Sequence, residues 1–450
     1  MLALILLFAQ IPTPSPQVPP NMTPQVAPPQ NAPDAGVPPV ANSPLPAKAS
    51  PAAPSYEGLT TPRLQQIQQA LTRAKIDGWL FYDFRASDLI AYRVLGLDPA
   101  GPRSRRWYCY VPARGQPQKL VHAIEPHALD GVPGKITTYS SWRLRDRELG
   151  GLLRGQKRVA MEYSPRNDLP TIAQVDAGTL ELVRSLGPEV VSSADLVAEL
   201  ESTLTPEELA SQARATDLLA GVIEATAQEA VRRVREGHPA TEGELRDFAK
   251  GRMQAAGLTE DGPGVAVDAH SADPHSRATD GVAGQNSLLL LDFAARLGSG
   301  PHDIYADLTR VYFLGDRTPD EMARVAASVF QARDAAIAFL EQRVGVGKPP
   351  TGAEVDDVAR AVIDKAGHGQ HFMHRTGHSL GTRGHGDGVN NDNFETHDTR
   401  RHLPETCFSI EPGIYLPGRF GIRSEVDVCI AGGKVLVRGL TQGEVPALIK

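Results

Sequence analysis

The chain has 450 residues, of which 41% are hydrophobic, and its formal net charge is −7. This length predicts two or three domains, each with a core of its own. A sequence pI near 6.0 argues against a general nucleic-acid binder, which needs a basic face. No apolar stretch approaches the roughly 18 residues of a membrane-spanning helix. The three cysteines, too few for a disulfide scaffold and without the CxxC spacing of a zinc site, are interpreted as buried thiols: Cys109, Cys407 and Cys429.

The first 57 residues are predicted to be a targeting segment and a linker. Residues 1–9 contain eight consecutive apolar residues from Leu2 to Ala9, which is the length of a signal-peptide core. No Lys or Arg precedes this run and no cleavage site is clear, so we expect export by a weak signal, with a cytoplasmic protein as the alternative. Residues 10–57 are rich in proline and almost uncharged, which predicts an extended, disordered linker.

Residues 58–203 alternate between helical and strand-like patterns. A helix is predicted to begin at Thr61-Pro62, with apolar residues at helical spacing after it. Strands are predicted at 79–82, 107–111, 120–122, 159–163 and 190–191, and a helix at 178–186. This alternation predicts an α/β domain.

Four capping boxes of the form Thr-x-x-Glu divide residues 204–450, and each predicts the start of a helix. They are Thr205/Glu208, Thr241/Glu244, Thr318/Glu321 and Thr351/Glu354. Pro206 and Pro319 are predicted at the first helical position. Four glycines are predicted to end these helices: Gly237, Gly257, Gly345 and Gly367. Two helices followed by strands occur twice, which predicts an α+β domain of duplicated halves, 205–315 and 318–440, facing each other across a cleft.

Acidic residues interrupt several apolar strands of this second domain. Asp292 ends one apolar run, Asp307 lies within another, and Glu411 and Glu425 lie in strand-like segments after the sequence His374-Arg-Thr-Gly-His378. Strand alternation places Arg423, Glu425 and Asp427 on one face. A buried carboxylate is costly unless it is paired or metal-bound. Oxygen ligands with one imidazole suit Mn²⁺, and two ions that share carboxylates can activate a water molecule.

A second motif has a different interpretation. Residues 377–381 read Gly-His-Ser-Leu-Gly, which fits the G-x-S-x-G pattern of serine hydrolases. That pattern requires a helix after the serine, and the glycine-rich sequence that follows cannot begin a stable one. We therefore do not expect Ser379 to be a nucleophile.

These residues carry a resemblance to a known family. Residues 205–440 resemble the pita-bread metallopeptidases, which include aminopeptidase P, prolidase and methionine aminopeptidase. Residues 59–200 are similar to the creatinase-like N-terminal domain of the proline-specific members. The resemblance implies five metal ligands, listed here: Asp292, Asp307, His378, Glu411 and Glu425. It also implies catalytic roles for His275, His385 and Glu411. His374 would line the substrate site, and Arg423 would orient the glutamate that bridges the ions.

The resemblance also implies an activity. We expect hydrolysis of the peptide bond before proline by a hydroxide bridging two divalent ions, most readily Mn²⁺, with Co²⁺, Zn²⁺ or Fe²⁺ as alternatives. Glu411 would act as general base and then acid, and a homodimer is expected. Asp292 and Asp307 are fifteen residues apart, a wider gap than is usual in the family, which predicts a longer hairpin loop. Phe293 also departs from the usual small residue, which affects the predicted shape of the substrate site.

Two alternatives remain open at this point. Family members with the same ligands act on non-peptide small molecules as hydrolases or lyases. Pita-bread domains can also be catalytically inactive binding modules, although replaced ligands would be expected in such a protein. The preference for proline comes from the resemblance and not from any residue identified above.

Overall fold

The computed structural model describes residues 56–101, 103–260, 262–439 and 441–449. The predicted signal core and residues 10–55 of the predicted linker lie outside these described residues. Among the residues that are described, no helix combines the length and hydrophobicity that a membrane crossing requires.

The N-terminal part of the described chain is an α/β layer. Its elements are α1 (Thr61–Ala74), β1 (Gly78–Asp83), α2 (Leu89–Leu95), β2 (Trp107–Pro112), β3 (Gln118–His122), β4 (Lys135–Tyr139), α3 (Trp142–Leu152), β5 (Arg158–Met161), α4 (Ala177–Ser185), β6 (Glu189–Ser192) and α5 (Ala194–Ser202). The sheet order is β4-β3-β2-β1-β5-β6. Strand β1 is buried along its whole length, which explains its continuous apolar sequence. Helix α1 is capped by Thr60 and not by Thr61, and the strand predicted to reach residue 163 ends at Met161.

The C-terminal part repeats one order of elements. Its first half contains α6 (Pro206–Arg235), α7 (Glu242–Ala255), β7 (Leu258–Glu260), β8 (Gly264–Val267), β9 (Leu288–Leu297) and β10 (Ala306–Phe313). Its second half contains α8 (Asp320–Gly345), α9 (Gly352–Lys365), β11 (Ser379–Leu380), β12 (Thr406–Ile410), β13 (Gly413–Leu416), β14 (Phe420–Arg423), β15 (Val426–Ala431) and β16 (Lys434–Arg438). The predicted repeat of two helices followed by strands is therefore present. The predicted domain boundary lies between the end of α5 and the start of α6.

The two halves meet along β10 and β15. The first half forms the sheet β10-β9-β7, with β8 also paired to β9, and the second forms β11-β12-β15-β16 and the hairpin β13-β14. The amide of Glu425 donates to the carbonyl of Thr309 (3.4 Å), and the amide of Asp307 donates to Asp427 Oδ1 (3.1 Å). This junction places the ends of strands from both halves beside each other.

The third of the four helix starts was predicted wrongly. The capping boxes at Thr205, Thr241 and Thr351 form as predicted. At α8 the N-cap is Pro319, no side chain caps the helix, and the Thr318 hydroxyl donates to the carbonyl of Val445 (2.8 Å). The far end of α8 also differs, because Gly345 is its last helical residue.

The left-handed turn after α8 falls at Gly347 (φ +67°). Left-handed glycines follow the other three helices at the predicted positions: Gly237, Gly257 and Gly367. A glycine two residues beyond the helix thus takes the role predicted for Gly345.

The interpretation of the cysteines as buried thiols holds only for Cys109, which is buried and unpaired. Cys407 and Cys429 form a disulfide. They are directly opposite each other on the antiparallel strands β12 and β15. The pairing depends on the register of two strands, which cysteine spacing does not reveal.

The acidic segment at 423–428 is two strands and not one. Strand β14 ends at Arg423, and β15 begins at Val426. The alternation predicted for Arg423, Glu425 and Asp427 is therefore interrupted. Glu425 lies in the break, where its backbone turns from one sheet to the next.

Candidate metal centre

The first pair of predicted ligands lies on neighbouring strands of one hairpin. Asp292 on β9 is paired in register with Thr309 on β10, two residues beyond Asp307. The Thr309 hydroxyl lies 2.9 Å from Asp292 Oδ1 and 2.7 Å from Glu425 Oε2. Asp307 is buried, and its backbone is held by Asp427. The longer connection between the aspartates is the hairpin loop between Leu297 and Ala306.

The second half of the domain brings His378 to these aspartates. His378 Nε2 lies 3.6 Å from Asp307 Oδ2 and 3.5 Å from Glu411 Oε1. The Ser409 hydroxyl is 2.9 Å from the His378 amide and 3.2 Å from Glu411 Oε1, so it contacts both residues. Glu411 follows β12 directly, and its amide donates to the Thr376 carbonyl (2.7 Å). The short sheet thus fixes the imidazole and the carboxylate together.

Glu425 completes the cluster. One ligand atom each from Asp307, His378 and Glu425 lie within 4.8 Å of one another, and all three residues are buried. The carbonyl of Glu425 accepts from Arg310 (2.8 Å). All five predicted ligands line one cavity of about 490 Å³.

The electrostatics of the cluster favour a bound cation. Burial, followed by repulsion from neighbouring carboxylates, raises the pKa of Asp307 and of Glu425 well above their usual values. Burial raises the pKa of Glu411 to about 7. Burial, together with His385 and nearby arginines, lowers the pKa of His378 well below its usual value, so the imidazole is neutral and can bind a metal.

The donor set therefore fits divalent metal ions. Four carboxylates and one neutral imidazole line the cavity, and among the described residues Arg423 forms an ion pair with one of these carboxylates, Asp292. Ions bound there would relieve the repulsion between the carboxylates.

Arg423 contacts the cluster at two points. Its guanidinium forms an ion pair with Asp292, and its Nε donates to the Thr309 hydroxyl (3.0 Å). It reaches Glu425 through Thr309 and not by a direct hydrogen bond. Thr309 is the residue that contacts Asp292, Glu425 and Arg423 together. This role of Thr309 was not predicted from the sequence.

Three further histidines line the same cavity. His385 stacks on His378, with ring centroids 4.0 Å apart. His374 Nε2 lies 2.8 Å from the Tyr415 hydroxyl, and burial lowers the pKa of His374 to about 3. His275 lies on an exposed loop, and its amide donates to Asp273 Oδ1 (3.0 Å). The structure thus brings His275, His374 and His385 to the cavity that the ligands line. Tyr415, the partner of His374, was not predicted.

Asp427 lies behind the cluster and has a supporting position. Its Oδ2 accepts from Gln212 and Thr216 on α6 (both 2.8 Å), while its Oδ1 accepts from the Asp307 amide. Burial raises its pKa to about 7. Gln212 and Thr216 are polar residues on the buried face of α6. Polar residues at apolar positions of a helical pattern were the signal from which this hydrogen-bond network could have been predicted.

Ser379 does not lie in the strand–turn–helix arrangement that a serine nucleophile of this motif requires. It lies in the short strand β11, is buried, and is followed by turns and bends. The helix that G-x-S-x-G requires after its serine is therefore not formed by the described residues that follow.

The sequence matches a known family over the region that builds this cluster. Residues 214–431 match metallopeptidase family M24. The matched segment is a little under half of the chain. Two curated relatives align with part of the chain. "Probable dipeptidase PepE" of Mycobacterium tuberculosis is 36% identical over 156 residues, which are 35% of this chain and 38% of that protein. "Xaa-Pro dipeptidase" of Lactobacillus helveticus is 34% identical over 165 residues, which are 36% of this chain and 40% of that protein. The alignments thus span about two fifths of these relatives.

Solved structures share the fold beyond this matched segment. Dipeptidase PepE from Mycobacterium ulcerans has a TM-score of 0.61 at 22% identity, covering 88% of this chain and 98% of that chain. X-Pro aminopeptidase from Thermotoga maritima has a TM-score of 0.54 at 20% identity, covering 86% of this chain and 99% of that chain. These likenesses confirm the predicted fold, an α/β N-terminal domain followed by a pita-bread domain.

Proposed function

We propose that this protein is a metal-dependent peptidase that hydrolyses the bond before proline. The observation that carries the proposal is the convergence of Asp292, Asp307, His378, Glu411 and Glu425 in one cavity. The M24 match and the relatives named dipeptidase and Xaa-Pro dipeptidase support a peptide as substrate.

The five ligands would hold two divalent ions. Bound metal would polarise the scissile carbonyl and lower the pKa of a water molecule. Oxygen-rich ligands with one imidazole favour Mn²⁺, with Co²⁺, Zn²⁺ and Fe²⁺ as alternatives.

Glu411, which is also one of the five ligands, performs the proton transfers, and residues around it assist. Glu411 accepts the proton of the attacking water and delivers it to the proline nitrogen as the peptide bond breaks. Ser409 contacts Glu411 Oε1 and so fixes the orientation of this carboxylate. His385, and His275 on the opposite loop, donate to the oxygen on which negative charge develops. His374 is fixed by Tyr415 and lines the substrate site.

The test uses a dipeptide and a tripeptide of the Xaa-Pro type with metal-stripped protein. We expect cleavage to return when Mn²⁺, Co²⁺ or Zn²⁺ is added. His378→Ala should lose both metal binding and cleavage. Glu411→Gln should cut kcat by about 10²- to 10⁴-fold, because it removes the general base. His238→Ala, at an exposed histidine outside the cavity, serves as the matched control.

The outcomes separate the alternatives. Tight metal binding without cleavage of any peptide would favour a non-peptide substrate. Absence of metal binding would overturn the site itself. The ratio of dipeptide to tripeptide cleavage distinguishes a dipeptidase from an aminopeptidase.

Export and a homodimeric state are further parts of this proposal. Disulfides persist in oxidising compartments, so the Cys407–Cys429 bond supports export. Fractionation of cells that express the full chain tests the location, and light scattering of the purified protein tests the dimer. Retention in the cytoplasm with both cysteines reduced would contradict export.

A further inference from the structure

The loop that carries His385 is anchored on the side facing away from the cavity. The Gly386 amide donates to the Ser379 carbonyl (2.8 Å). Arg400 donates to the carbonyls of Asp387 (2.9 Å) and Gly388 (2.7 Å). His385 itself is exposed, stacks on His378 and lies 3.4 Å from Arg375 through its Nδ1, while the backbone of its loop is held by these anchors.

One anchor comes from the N-terminal domain. Arg93 on α2 donates to Asp387 Oδ2 at 2.5 Å, across 294 positions of sequence. Arg383, within the loop, pairs with the same oxygen. The Asp387 side chain is only 8% exposed, whereas both arginines are partly exposed, so the carboxylate is the shielded member of these ion pairs.

Arg93 is itself held in place. Its Nε lies 3.4 Å from Glu201 Oε2 at the end of α5, and Arg63 pairs with the other oxygen of Glu201. The Glu201 and Asp387 carboxylates would repel each other without the guanidinium between them. Arg93 therefore joins the two domains electrostatically.

The packing beside this ion pair leaves little space for adjustment. A Cβ on Gly388 would lie 2.7 Å from Ser202 Cβ, so the loop backbone rests directly against the last residue of α5. The N-terminal domain thus contacts the His385 loop through both charge and close packing.

We propose that Arg93 is a positioning residue for the reaction. Through Asp387 it holds His385 against His378, where the imidazole can donate to the developing oxyanion. This inference rests on the proposed function. A small displacement of a group that acts in the transition state lowers the rate steeply, so the N-terminal domain contributes to catalysis without contacting the substrate.

The first test measures kcat and KM for an Xaa-Pro peptide. We expect Arg93→Ala to lower kcat by about 10- to 100-fold with little change in KM, because the contact acts on the transition state. Arg93→Lys keeps the charge and should recover part of the loss. The matched control is Arg73→Ala. Arg73 is an exposed arginine of α1 that pairs with Glu199 on α5, the helix that also carries Glu201. This control should behave like wild type.

The second test separates positioning from general stability. In a His385→Ala background, Arg93→Ala should have no further effect on kcat, since its effect passes through the missing imidazole. Hydrogen exchange of residues 382–388 should become faster in Arg93→Ala, with exchange in β9 and β10 unchanged. Additive losses of kcat, or unchanged exchange in the loop, would overturn the proposal. If wild-type protein cleaves no peptide, the proposed function fails, and the exchange measurement alone decides whether Arg93 anchors the loop.

Discussion

A pair of buried carboxyls in the N-terminal domain lies outside the metal centre. Asp88 and Glu162 are fully buried. Asp88 Oδ1 accepts from the Ala91 amide and Glu162 Oε1 from Trp79, while the other oxygen of each carboxyl has no further partner. Burial, followed by mutual repulsion, raises the pKa of Glu162 well above its usual value, and burial raises that of Asp88 to about 7.

The raised pKa values predict a loss of stability as pH rises. Between the unfolded pKa near 4 and the raised folded values, the folded protein keeps protons that the unfolded chain has lost. The free energy of unfolding therefore falls through this window, by about 1.4 kcal/mol per pH unit for one group. This contribution is fully present only below pH 4.

Glu162→Gln should remove much of this dependence. Its amide oxygen can still accept from Trp79, and its nitrogen can donate to Asp88. We expect the variant to match wild type near pH 4 and to exceed it at pH 8, in urea unfolding across that range. Glu189→Gln, at an exposed glutamate of β6, is the control. Parallel stability curves for Glu162→Gln and wild type would contradict the prediction.

At the scale of the helix, two glycine substitutions test where the C-terminal end of α8 lies. Gly345 is helical and Gly347 left-handed, and both have open space where a Cβ would lie. Gly347→Ala should destabilise the protein by about 1 kcal/mol, because a Cβ is disfavoured at positive φ. Gly345→Ala should be neutral or stabilising by up to about 1 kcal/mol. Thermal unfolding compares the two variants, and equal effects would show that the helix ends elsewhere.

At the scale of the strand pair, the disulfide predicts a response to reductant. It closes a loop across 22 positions, for which a stabilisation of about 3 kcal/mol is expected. The Cys407→Ser/Cys429→Ser variant should lose this stability and become insensitive to dithiothreitol. Cys109→Ala keeps the disulfide and should retain the sensitivity. Peptide mapping without reductant that finds both thiols free would exclude the bond.

The sequence predicts some elements better than others. What decides this is how far apart in the sequence the interacting residues are. Three capping boxes form because each joins residues three positions apart. The box at Thr318 fails because its hydroxyl bonds to Val445, 127 positions away. The disulfide depends on the register of β12 and β15, which no local pattern encodes. The repeat of two helices and strands was predictable because each helix carries its own start and stop signals.

The metal centre shows the same limit. Its candidate ligands were chosen from acids in apolar strands and from the resemblance to a family, and the structure brings them into one cavity. Thr309 and the supporting residues Gln212 and Thr216 act through contacts more than 100 positions apart. Such contacts follow from the packing of the two halves, so they could not be derived from one sequence.

At the scale of the whole molecule, the ligands come from both halves of the C-terminal domain. Asp292 and Asp307 belong to the first half, and His378, Glu411 and Glu425 to the second. Bound ions would therefore stabilise the junction of the halves. At a metal concentration about 100 times Kd, the gain is about 2.7 kcal/mol, which corresponds to roughly 5–10 °C in Tm.

Calorimetry of stripped and metal-loaded protein measures this shift. Asp292→Asn or His378→Ala should reduce it, whereas the exposed-site control His238→Ala should not. If Mn²⁺, Co²⁺ and Zn²⁺ all leave the Tm unchanged, the assignment of the ligands is contradicted.

The split origin of the ligands also determines when the protein can become active. Thr309 and Glu425 meet across 116 positions of sequence, and β15 follows Glu425 close to the C-terminus. A chain still being synthesised therefore has no assembled centre until residue 425 has left the ribosome. The proposed peptidase activity therefore requires residue 425, and any chain truncated before it should lack that activity.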